Sequence, residues 1–189
     1  GGIVLGQIKA TGSLEVTSTD GAITQEKPET TSNRIQVGGE STFTASNGAT
    51  PEVRYDITLG NPSNEFGDKV NLRGKDVQVT DSTPLTLGRV ITSGDLTAKG
   101  VGGLEFKGDA DVGGNLIADS GNGPMTDVGV IKVVGRSTLT GGTGDITLDS
   151  DNDFGGPVDA DGQDLQIKDA TGGIVLGQIK ATGSLEVTS

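Results

Sequence analysis

The residues with the clearest chemical potential are the aspartates in DSDNDFGGPVDADGQD, from position 149 to position 164. Asp149, Asp151 and Asp153 have the alternate spacing of the first ligands in a calcium-binding loop. Such a loop also needs Gly at its sixth position and an acidic residue at its twelfth, where this chain has Phe154 and Ala160. Asp and Asn also form solvated turns, because their side chains bond to nearby backbone. The pattern favours turns and keeps calcium at these three aspartates as the weaker alternative; no other cofactor is predicted.

Catalysis has few candidate residues in this sequence. The chain has no His and no Cys, which removes the commonest general base and the Ser–His and Cys–His arrangements. Paired carboxylates that cleave polysaccharides need a basic partner on the same exposed face. Arg54, Arg73, Arg89 and Arg136 are instead scattered along the chain. We therefore expect that the protein is not an enzyme, and a polysaccharide-active β-helix enzyme remains the weaker alternative.

The composition excludes two classes of partner. The net charge of −12 and the isoelectric point near 4.3 argue against binding to nucleic-acid phosphates, and no stripe of Lys or Arg is visible. No apolar run approaches the roughly 18 residues of a membrane span. Only 31% of the residues are apolar and 33 are Gly, so we expect a folded chain with a thin core.

Short apolar–polar–apolar triplets recur along the chain and predict strands with one buried face. They are LEV at Leu14, IQV at Ile35, VQV at Val77, LTL at Leu85, LEF at Leu104, ITL at Ile146 and LQI at Leu165. Gly, Asn, Asp and Ser stand between them, which predicts turns, and no helical stripe of apolar residues appears. The sequence therefore predicts an all-β protein made of many very short strands.

Two architectures could use such strands. A pair of immunoglobulin-like sandwiches suits a half-chain of about 85 to 90 residues. A β-solenoid with coils of roughly 20 residues instead needs only a narrow interior column of small apolar side chains. One Tyr, four Phe and no Trp favour the solenoid, because a sandwich core is normally filled by bulkier residues. The equivalent Phe66 and Phe154 are predicted to fill the interior column, with sugar-binding platforms as the alternative.

Internal repeats organise the chain at two levels. Residues 1–18 and 172–189 are identical, GGIVLGQIKATGSLEVTS. Residues 64–83 also resemble residues 152–171, and the segments GESTFT and GRSTLT continue that match. We predict a single β-solenoid segment over 1–189, with one unit of two diverged halves over 1–171 and the start of the next unit at 172–189. An artificial duplication of the ends is the rival explanation.

The segments NDFGGPV at Asn152, LTLGRVITSGDLTA at Leu85 and GGIVLGQIKATGSLEVTS resemble the repeat region of filamentous haemagglutinin-like bacterial exoproteins, which are exported by two-partner secretion. The resemblance implies a right-handed parallel β-helix in the shaft of a large secreted or cell-surface protein. Residues 64–68 read NEFGD instead of NDFGG, so this corner is a departure from the pattern. The family's amino-terminal secretion domain is not found in this sequence.

These inferences predict a structural shaft or filament segment that acts as a stiff spacer in adhesion or in an extracellular fibre. Its expected partners are neighbouring repeat units stacked end to end, and its expected location is outside the bacterial cell. The alternative is an adhesin, in which an exposed coil face binds a host or cell-surface glycan or protein. A long loop would favour the alternative; the nearest candidates are QEKPETTSN, residues 25–33, and DSGNGPMTD, residues 119–127.

Overall fold

The computed structural model of this chain describes residues 1–26 and 31–189, and short β-strands form almost all of its regular structure. Those residues contain one 3₁₀ turn, Thr31–Asn33, and no helix that could cross a membrane. The strands in chain order are β1 (Ile3–Leu5), β2 (Ile8–Ala10), β3 (Leu14–Ser18), β4 (Ile23–Gln25), β5 (Ile35–Val37), β6 (Ser41–Ala45), β7 (Ile57–Leu59), β8 (Glu65–Phe66), β9 (Val70–Gly74), β10 (Val77–Thr80), β11 (Leu85–Thr92), β12 (Leu96–Lys99), β13 (Leu104–Phe106), β14 (Ala110–Val112), β15 (Leu116–Asp119), β16 (Met125–Asp127), β17 (Ile131–Val133), β18 (Ser137–Thr140), β19 (Ile146–Leu148), β20 (Asp153–Phe154), β21 (Val158–Gly162), β22 (Leu165–Lys168), β23 (Leu176–Ala181) and β24 (Leu185–Thr188).

The strands pair in parallel and form three columns, which we call faces A, B and C. Face A contains β1, β4, β7, β10, β12, β15, β18, β21 and β23. Face B contains β2, β5, β8, the first half of β11, β13, β16, β19, β22 and β24, and face C contains β3, β6, β9, the second half of β11, β14, β17 and β20. The chain visits A, B and C in turn through seven coils, and two further coils follow that have strands on faces A and B only.

Strand β11 shows how a corner between two faces is made. Its first half, Leu85–Leu87, pairs with β13 on face B, and its second half pairs with β9 and β14 on face C. The register shifts between Leu87 and Val90, so Gly88 and Arg89 form the bend. The carboxamide oxygen of Asn71 accepts the Arg89 N–H at 2.8 Å and lies where a side chain at position 88 would be. A side chain at position 88 would therefore displace the Asn71 carboxamide from this bond.

Alternate residues of each strand point into the column enclosed by the three faces. In β10, for example, Val77 and Val79 are buried and Gln78 is exposed. Because this alternation repeats in coil after coil, the buried apolar side chains join into one continuous core cluster. Burial of each Val, Leu or Ile contributes roughly 1.5–3 kcal/mol of hydrophobic stabilisation before entropy is subtracted. The thin core is thus long enough to stabilise the fold.

Most coils have nearly the same length. The residues that pair along face A are 18 to 21 positions apart, except that Ile23 pairs with Ile57, 34 positions later. We number the coils by their strands on face A, so that coil 2 begins at β4. Coil 2 therefore carries extra residues before β5 and again between β6 and β7. QEKPETTSN falls in the first of these places, although its residues 27–30 lie outside the described part of the chain. DSGNGPMTD, in contrast, lies in a coil of ordinary length.

Asp and Asn side chains bind the backbone of the next coil at the corner that precedes face A. The Oδ1 atoms of Asp56, Asp76, Asp95 and Asn115 accept the N–H of the equivalent residue one coil later, at 3.3, 3.0, 2.7 and 2.9 Å. The last donor in this ladder is Arg136. These bonds confirm the prediction that Asp and Asn form corners of the coils.

The Asn-x-Phe-Gly segments have an internal role. Asn64 and Asn152 are fully buried, and their Oδ1 atoms accept the N–H of Ile35 and Ile131, respectively, at 2.8 Å. Each Nδ2 group donates to a buried acceptor on the preceding coil, which is Gln25 Oε1 in one case and Asp127 Oδ2 in the other. A buried amide thus replaces backbone partners where the chain turns, as buried polar groups require.

The predicted all-β solenoid with coils of roughly 20 residues is confirmed. The alternative of two sandwiches is wrong, because the named strands pair in parallel between successive coils instead of forming facing antiparallel sheets. The predicted triplets all lie in strands. All four Phe residues are at most 3% exposed, so the predicted filling of the column by Phe66 and Phe154 is also confirmed; Phe43 and Phe66 meet edge to face with ring centres 6.2 Å apart.

Candidate stacking interface

The aspartates considered for calcium binding have other partners. The Asp149 N–H donates to Asp127 Oδ1, Asp151 forms an ion pair with Lys168 at 2.7 Å, and Asp153 lies opposite Lys132 in register. Within residues 1–26 and 31–189, no group of three or more His, Cys, Asp or Glu is arranged to hold a metal ion. The structure therefore does not bring the three carboxylates together into one coordination site.

The last coil presents an open edge of the solenoid. Strands β23 and β24 are terminal strands of their sheets. Leu176 and Leu185 pair in register with the buried Val158 and Leu165, so they face the column, yet 42% and 50% of their surface is exposed. The backbone groups of inward-facing residues point to the following coil. For example, the N–H of Leu165, whose side chain faces inward, donates to the carbonyl oxygen of Ser184 in the next coil at 2.9 Å. Leu185 therefore directs its backbone groups beyond the last coil.

The first coil has the same sequence as the last one, but a further coil packs on it. Residues 1–18 are identical to residues 172–189, and coil 2 packs on them along all three faces. Ile3 pairs with Ile23 on face A, Ile8 with Ile35 on face B, and Leu14 with Ser41 on face C. The structure thus displays the same 18 residues twice, once with a coil following them and once without.

The two identical segments do not occupy the same faces. Ile8–Ala10 lies on face B and Leu14–Ser18 on face C, whereas the equivalent residues of β23 and β24 lie on faces A and B. We call the place of each face in a coil a strand position, so that a coil has three; residues 169–175, which form no strand, occupy the face C position of the eighth coil and are counted. The second segment lies 23 strand positions after the first, which is seven and two-thirds coils. A distance of 171 residues is therefore not a whole number of coils.

The weaker internal repeats are also separated by a number of strand positions that is not a whole number of coils. Strands β6 and β18 are separated by 96 residues and β8 and β20 by 88 residues, yet each pair is 13 strand positions apart. The same separation holds for β7 and β19, β9 and β21, and β10 and β22. Strand order is thus more constant than residue spacing, because the extra residues of coil 2 lie outside the ladders. Each repeated segment is displaced by one face from its counterpart.

The loop formed by residues 46–56, which we call the coil 2 loop, was not predicted as a site. Glu52 receives hydrogen bonds from Ser46 and from Arg73, whose two contacts measure 2.7 and 2.8 Å, and forms an ion pair with Arg54 at 2.8 Å. The Ser46 hydrogen bond and the two guanidinium groups lower the pKa of Glu52 to about 2. The loop also contains a cis Thr50–Pro51 bond. Its sequence signal is the gap between STFTA and ITL at Ile57, which is longer than the other gaps between the named strands.

A groove of about 630 Å³ runs along face C beside this loop. Arg54 borders it at one end, and Val112, Val133 and Val134 supply apolar surface. Lys132 lines it as well. Within the described residues, the buried Nε of Arg54 has no hydrogen-bond partner. The groove therefore combines apolar surface with the Arg54 side chain at its border, whose guanidinium is ion-paired with Glu52.

The basic side chains on the outside of the solenoid mostly connect neighbouring coils. Arg89 binds Asp109 and Asp111 at 3.1 and 2.7 Å, and Lys180 binds Asp161 at 2.9 Å. Further pairs that cross between coils are Arg34–Glu65, Lys69–Glu40, Arg73–Glu52, Arg136–Asp159 and Lys168–Asp151. Exposed pairs of this kind each contribute little stability, typically below 1 kcal/mol. Within residues 1–26 and 31–189, this arrangement pairs most of the basic side chains with carboxylates of a neighbouring coil.

A family model described as repeats of unknown function (DUF5649) matches residues 1–73 and 101–161, more than two thirds of the chain. The first stretch contains β1 to β8 with most of β9, and the second contains β13 to β20 with most of β21. The two stretches thus begin 13 strand positions apart, which is the separation that the internal repeats show. No curated protein and no solved structure matches the chain.

Proposed function

The chain belongs to the family of repeats of unknown function (DUF5649), and we propose that it acts as a segment of a stiff structural shaft. The observation that carries this proposal is the continuity of the solenoid. A parallel ladder of nine strands on face A and one apolar cluster extend along the solenoid, without a hinge or a second lobe in the described residues. Stability in such a stack is a sum of contacts between neighbouring coils, so the rod can be lengthened by adding repeats.

The stiffness of the rod follows from the direction of its hydrogen bonds. The bonds between coils run along the long axis, and the three faces resist bending in three directions. Ion pairs such as Arg89–Asp109 and Lys180–Asp161 cross the same coil boundaries on the outside. Bending the rod would therefore open backbone bonds on at least one face and expose part of the apolar column.

The location of the shaft belongs to the same proposal. We propose that the parent protein is a large bacterial exoprotein similar to filamentous haemagglutinin, with a right-handed coil, and that the shaft stands outside the cell. The burial of Asn152 and Phe154 supports this, because it explains why a solenoid of this type would contain the Asn-Asp-Phe-Gly motif. An acidic surface also suits a filament, since rods of like charge repel one another sideways. We also propose that the segment is not an enzyme.

Two measurements on the parent protein test this proposal. Atomic force microscopy should show straight rods whose length grows by about 37 Å for each 171-residue unit, from a spacing of about 4.8 Å per coil. An antibody against residues 1–189 should label intact cells. Compact particles would contradict the shaft, whereas labelling that appears only after permeabilisation would contradict the location and leave the rod intact.

A binding surface on the same solenoid is the second candidate function. The coil 2 loop and the adjacent groove favour it, because Arg54 and Lys132 line a groove that also has apolar surface. A glycan and protein array with the wild-type chain and Arg54→Ala tests this candidate. Loss of binding in the variant, with unchanged binding in Arg136→Ala, would place the ligand in this groove. An array without hits would contradict the binding surface and leave the spacer role as the proposed function.

A further inference from the structure

We propose that the coil 2 loop modifies itself: the backbone nitrogen of Gly48 displaces the side-chain amide of Asn47, which becomes aspartate or isoaspartate without an enzyme. The inference goes beyond the shaft function, because it assigns a covalent modification site, and it stands whether or not the parent protein lies at a cell surface. The sequence contains two Asn-Gly pairs, Asn47–Gly48 and Asn122–Gly123. In such a pair no side chain shields the nitrogen that follows Asn. The structure favours the reaction at the first pair and opposes it at the second.

The first observation concerns the side-chain carbonyl of Asn47, whose carbon is the atom under attack. Its Oδ1 accepts the N–H groups of Ala49 and Val53 at 3.1 and 2.9 Å. Negative charge gathers on this oxygen when a nucleophile adds to the carbon, and backbone donors at about 2.7–3.1 Å stabilise such charge. The Asn47 N–H also donates to the carbonyl oxygen of Val53 at 3.0 Å, which fixes the residue within the loop. The loop thus holds an activated amide.

The second observation concerns the backbone nitrogen of Gly48, which is the nucleophile. Its N–H donates to Ser46 Oγ at 3.2 Å, and the Ser46 hydroxyl in turn donates to Glu52 Oε1. A hydroxyl has one proton, so Ser46 can meet Gly48 only as an acceptor while its proton points to Glu52. Ser46 is therefore placed to take the Gly48 proton as the nitrogen attacks. Glu52 is the positioning residue that keeps Ser46 in this orientation.

The third observation is the open space around Gly48. A Cβ atom built on Gly48 would meet nothing within 4 Å, and residues 48–51 are exposed. The nitrogen and the Asn47 carboxamide can therefore close into a five-membered ring without displacing a neighbouring coil. Water also has access to the ring once it has formed.

The second Asn-Gly pair has a different environment. The Gly123 N–H donates to the backbone carbonyl of Ser120 at 3.1 Å, which has no proton to pass on. Asn122 Oδ1 accepts the Thr143 N–H at 3.4 Å, which is longer than either bond to Asn47 Oδ1. A Cβ atom on Gly123 would lie 2.1 Å from the backbone of Gly102, so this pair is packed against the preceding coil. The molecule thus contains its own control, made of the same two residue types.

The reaction needs only the loop and water. The Gly48 nitrogen forms a bond to Asn47 Cγ and gives its proton to Ser46, which passes its own proton to Glu52. The bond from Cγ to Nδ2 then breaks, and Nδ2 takes up that proton and leaves as ammonia. Water opens the resulting succinimide at either carbonyl, which yields aspartate or isoaspartate. Isoaspartate routes the main chain through Cγ, so it lengthens the coil 2 loop by one carbon atom beside the groove on face C.

Mass spectrometry of tryptic peptides tests both pairs at once, when the full folded chain is sampled during incubation at neutral pH. Trypsin releases the two pairs in separate peptides, 35–54 and 108–132. We expect conversion of the amide to the acid at Asn47 to be at least roughly tenfold faster than at Asn122. In concentrated guanidinium chloride the two pairs should convert at similar rates, and Asn47 should react more slowly than in the folded chain.

Two variants separate an assisted reaction from a loop that is merely loose. Ser46→Ala removes the proton acceptor, and Glu52→Gln weakens its orientation. Both should slow conversion at Asn47 several-fold in the folded chain and leave its rate in guanidinium chloride unchanged. Unchanged slow conversion at Asn122 would show that the solenoid is still folded in each variant. Ser120→Ala, which removes a hydroxyl bonded to Gly123 O at 2.7 Å, is the matched control and should leave conversion at Asn47 unchanged.

A loop that only protects Asn47 gives the opposite results. Asn47 would then react more slowly in the folded chain than in guanidinium chloride, and Ser46→Ala and Glu52→Gln would speed the reaction by loosening the loop. Either of these results would overturn the proposal. Equal conversion of the two pairs in the folded chain would overturn it as well.

Discussion

Lys9 and Lys180 occupy the same place in two identical segments of 18 residues, yet they lie on different faces of the solenoid. Lys9 is opposite Gln36 on face B, whereas Lys180 lies on face A and forms an ion pair with Asp161 at 2.9 Å. Two strands recur in both segments: Ile8–Ala10 corresponds to residues within Leu176–Ala181, and Leu14–Ser18 corresponds to Leu185–Thr188 with one further residue. The first strand, Ile3–Leu5, recurs only at its last residue, Leu176. The sequence of a segment therefore sets most of its strands, and the number of strand positions before it sets its face.

This relationship predicts the geometry of a tandem array. Because 171 residues take up 23 strand positions, each successive unit is expected to be rotated by one third of a turn and raised by about 37 Å. The same surface would return to the same side only after three units. Cryo-electron microscopy of a chain with at least three units would measure both values. A unit that repeats without rotation, at eight whole coils, would contradict the prediction.

Simple regularities of the sequence were enough to predict the fold. Features that depend on the arrangement of several coils in space were not predicted. Period-two triplets and turn residues located the strands, because each strand needs only a local pattern to have one buried face. The displacement of the repeats by one face was not predicted, since it depends on the strand count in every coil. The role of Glu52 was also missed, because its partners Ser46 and Arg73 come from different strands.

Asp95 tests the corner ladder that precedes face A. Its Oδ1 accepts the N–H of Asn115 at 2.7 Å, and Asp76 stands one coil before it. Asp95→Asn keeps an acceptor and removes a negative charge from an acidic surface, so the free energy of unfolding should rise by about 0.5 kcal/mol. Asp95→Ala removes the acceptor and should lower it by about 1–2 kcal/mol. Urea unfolding measures both, and equal effects of the two substitutions would refute the role of the ladder.

Asn152 tests the buried amide. Asn152→Ala leaves the Ile131 N–H and the Asp127 carboxylate without their partner in an apolar interior. We expect the free energy of unfolding to fall by about 3 kcal/mol, since each unsatisfied buried group costs about 1–3 kcal/mol. Asn115→Ala at the exposed corner is the control and should cost about 1 kcal/mol. If the two variants unfold at the same urea concentration, the buried amide has no special structural role.

Glu52 should control the order of the coil 2 loop in acid. Hydrogen bonds from Ser46 and the nearby Arg73 and Arg54 lower its pKa to about 2, below the usual 4.5. A lowered carboxyl pKa adds stability that is present above pH 4.5 and is lost as the pH falls through about 2. Hydrogen exchange of the amides in residues 46–56 should therefore accelerate in this range. Glu52→Gln should show the faster exchange at neutral pH. If neither acid nor this substitution changes the exchange, Glu52 does not order the coil 2 loop.

Asp81 should have the opposite effect on stability. Burial raises its pKa to about 6, although the carboxylate accepts the N–H groups of Phe66 and Thr83 at 3.1 and 2.9 Å. A raised carboxyl pKa means that folding is most favourable below pH 3.8, and that this contribution is lost as the pH rises through 6. The loss is at most about 3 kcal/mol, from a shift of about two units. Asp81→Asn, which cannot ionise, should remove this slope from a plot of the free energy of unfolding against pH. Asp95→Asn, at an exposed corner, is the control that should keep it. A slope that survives in Asp81→Asn would assign the pH dependence to other carboxylates.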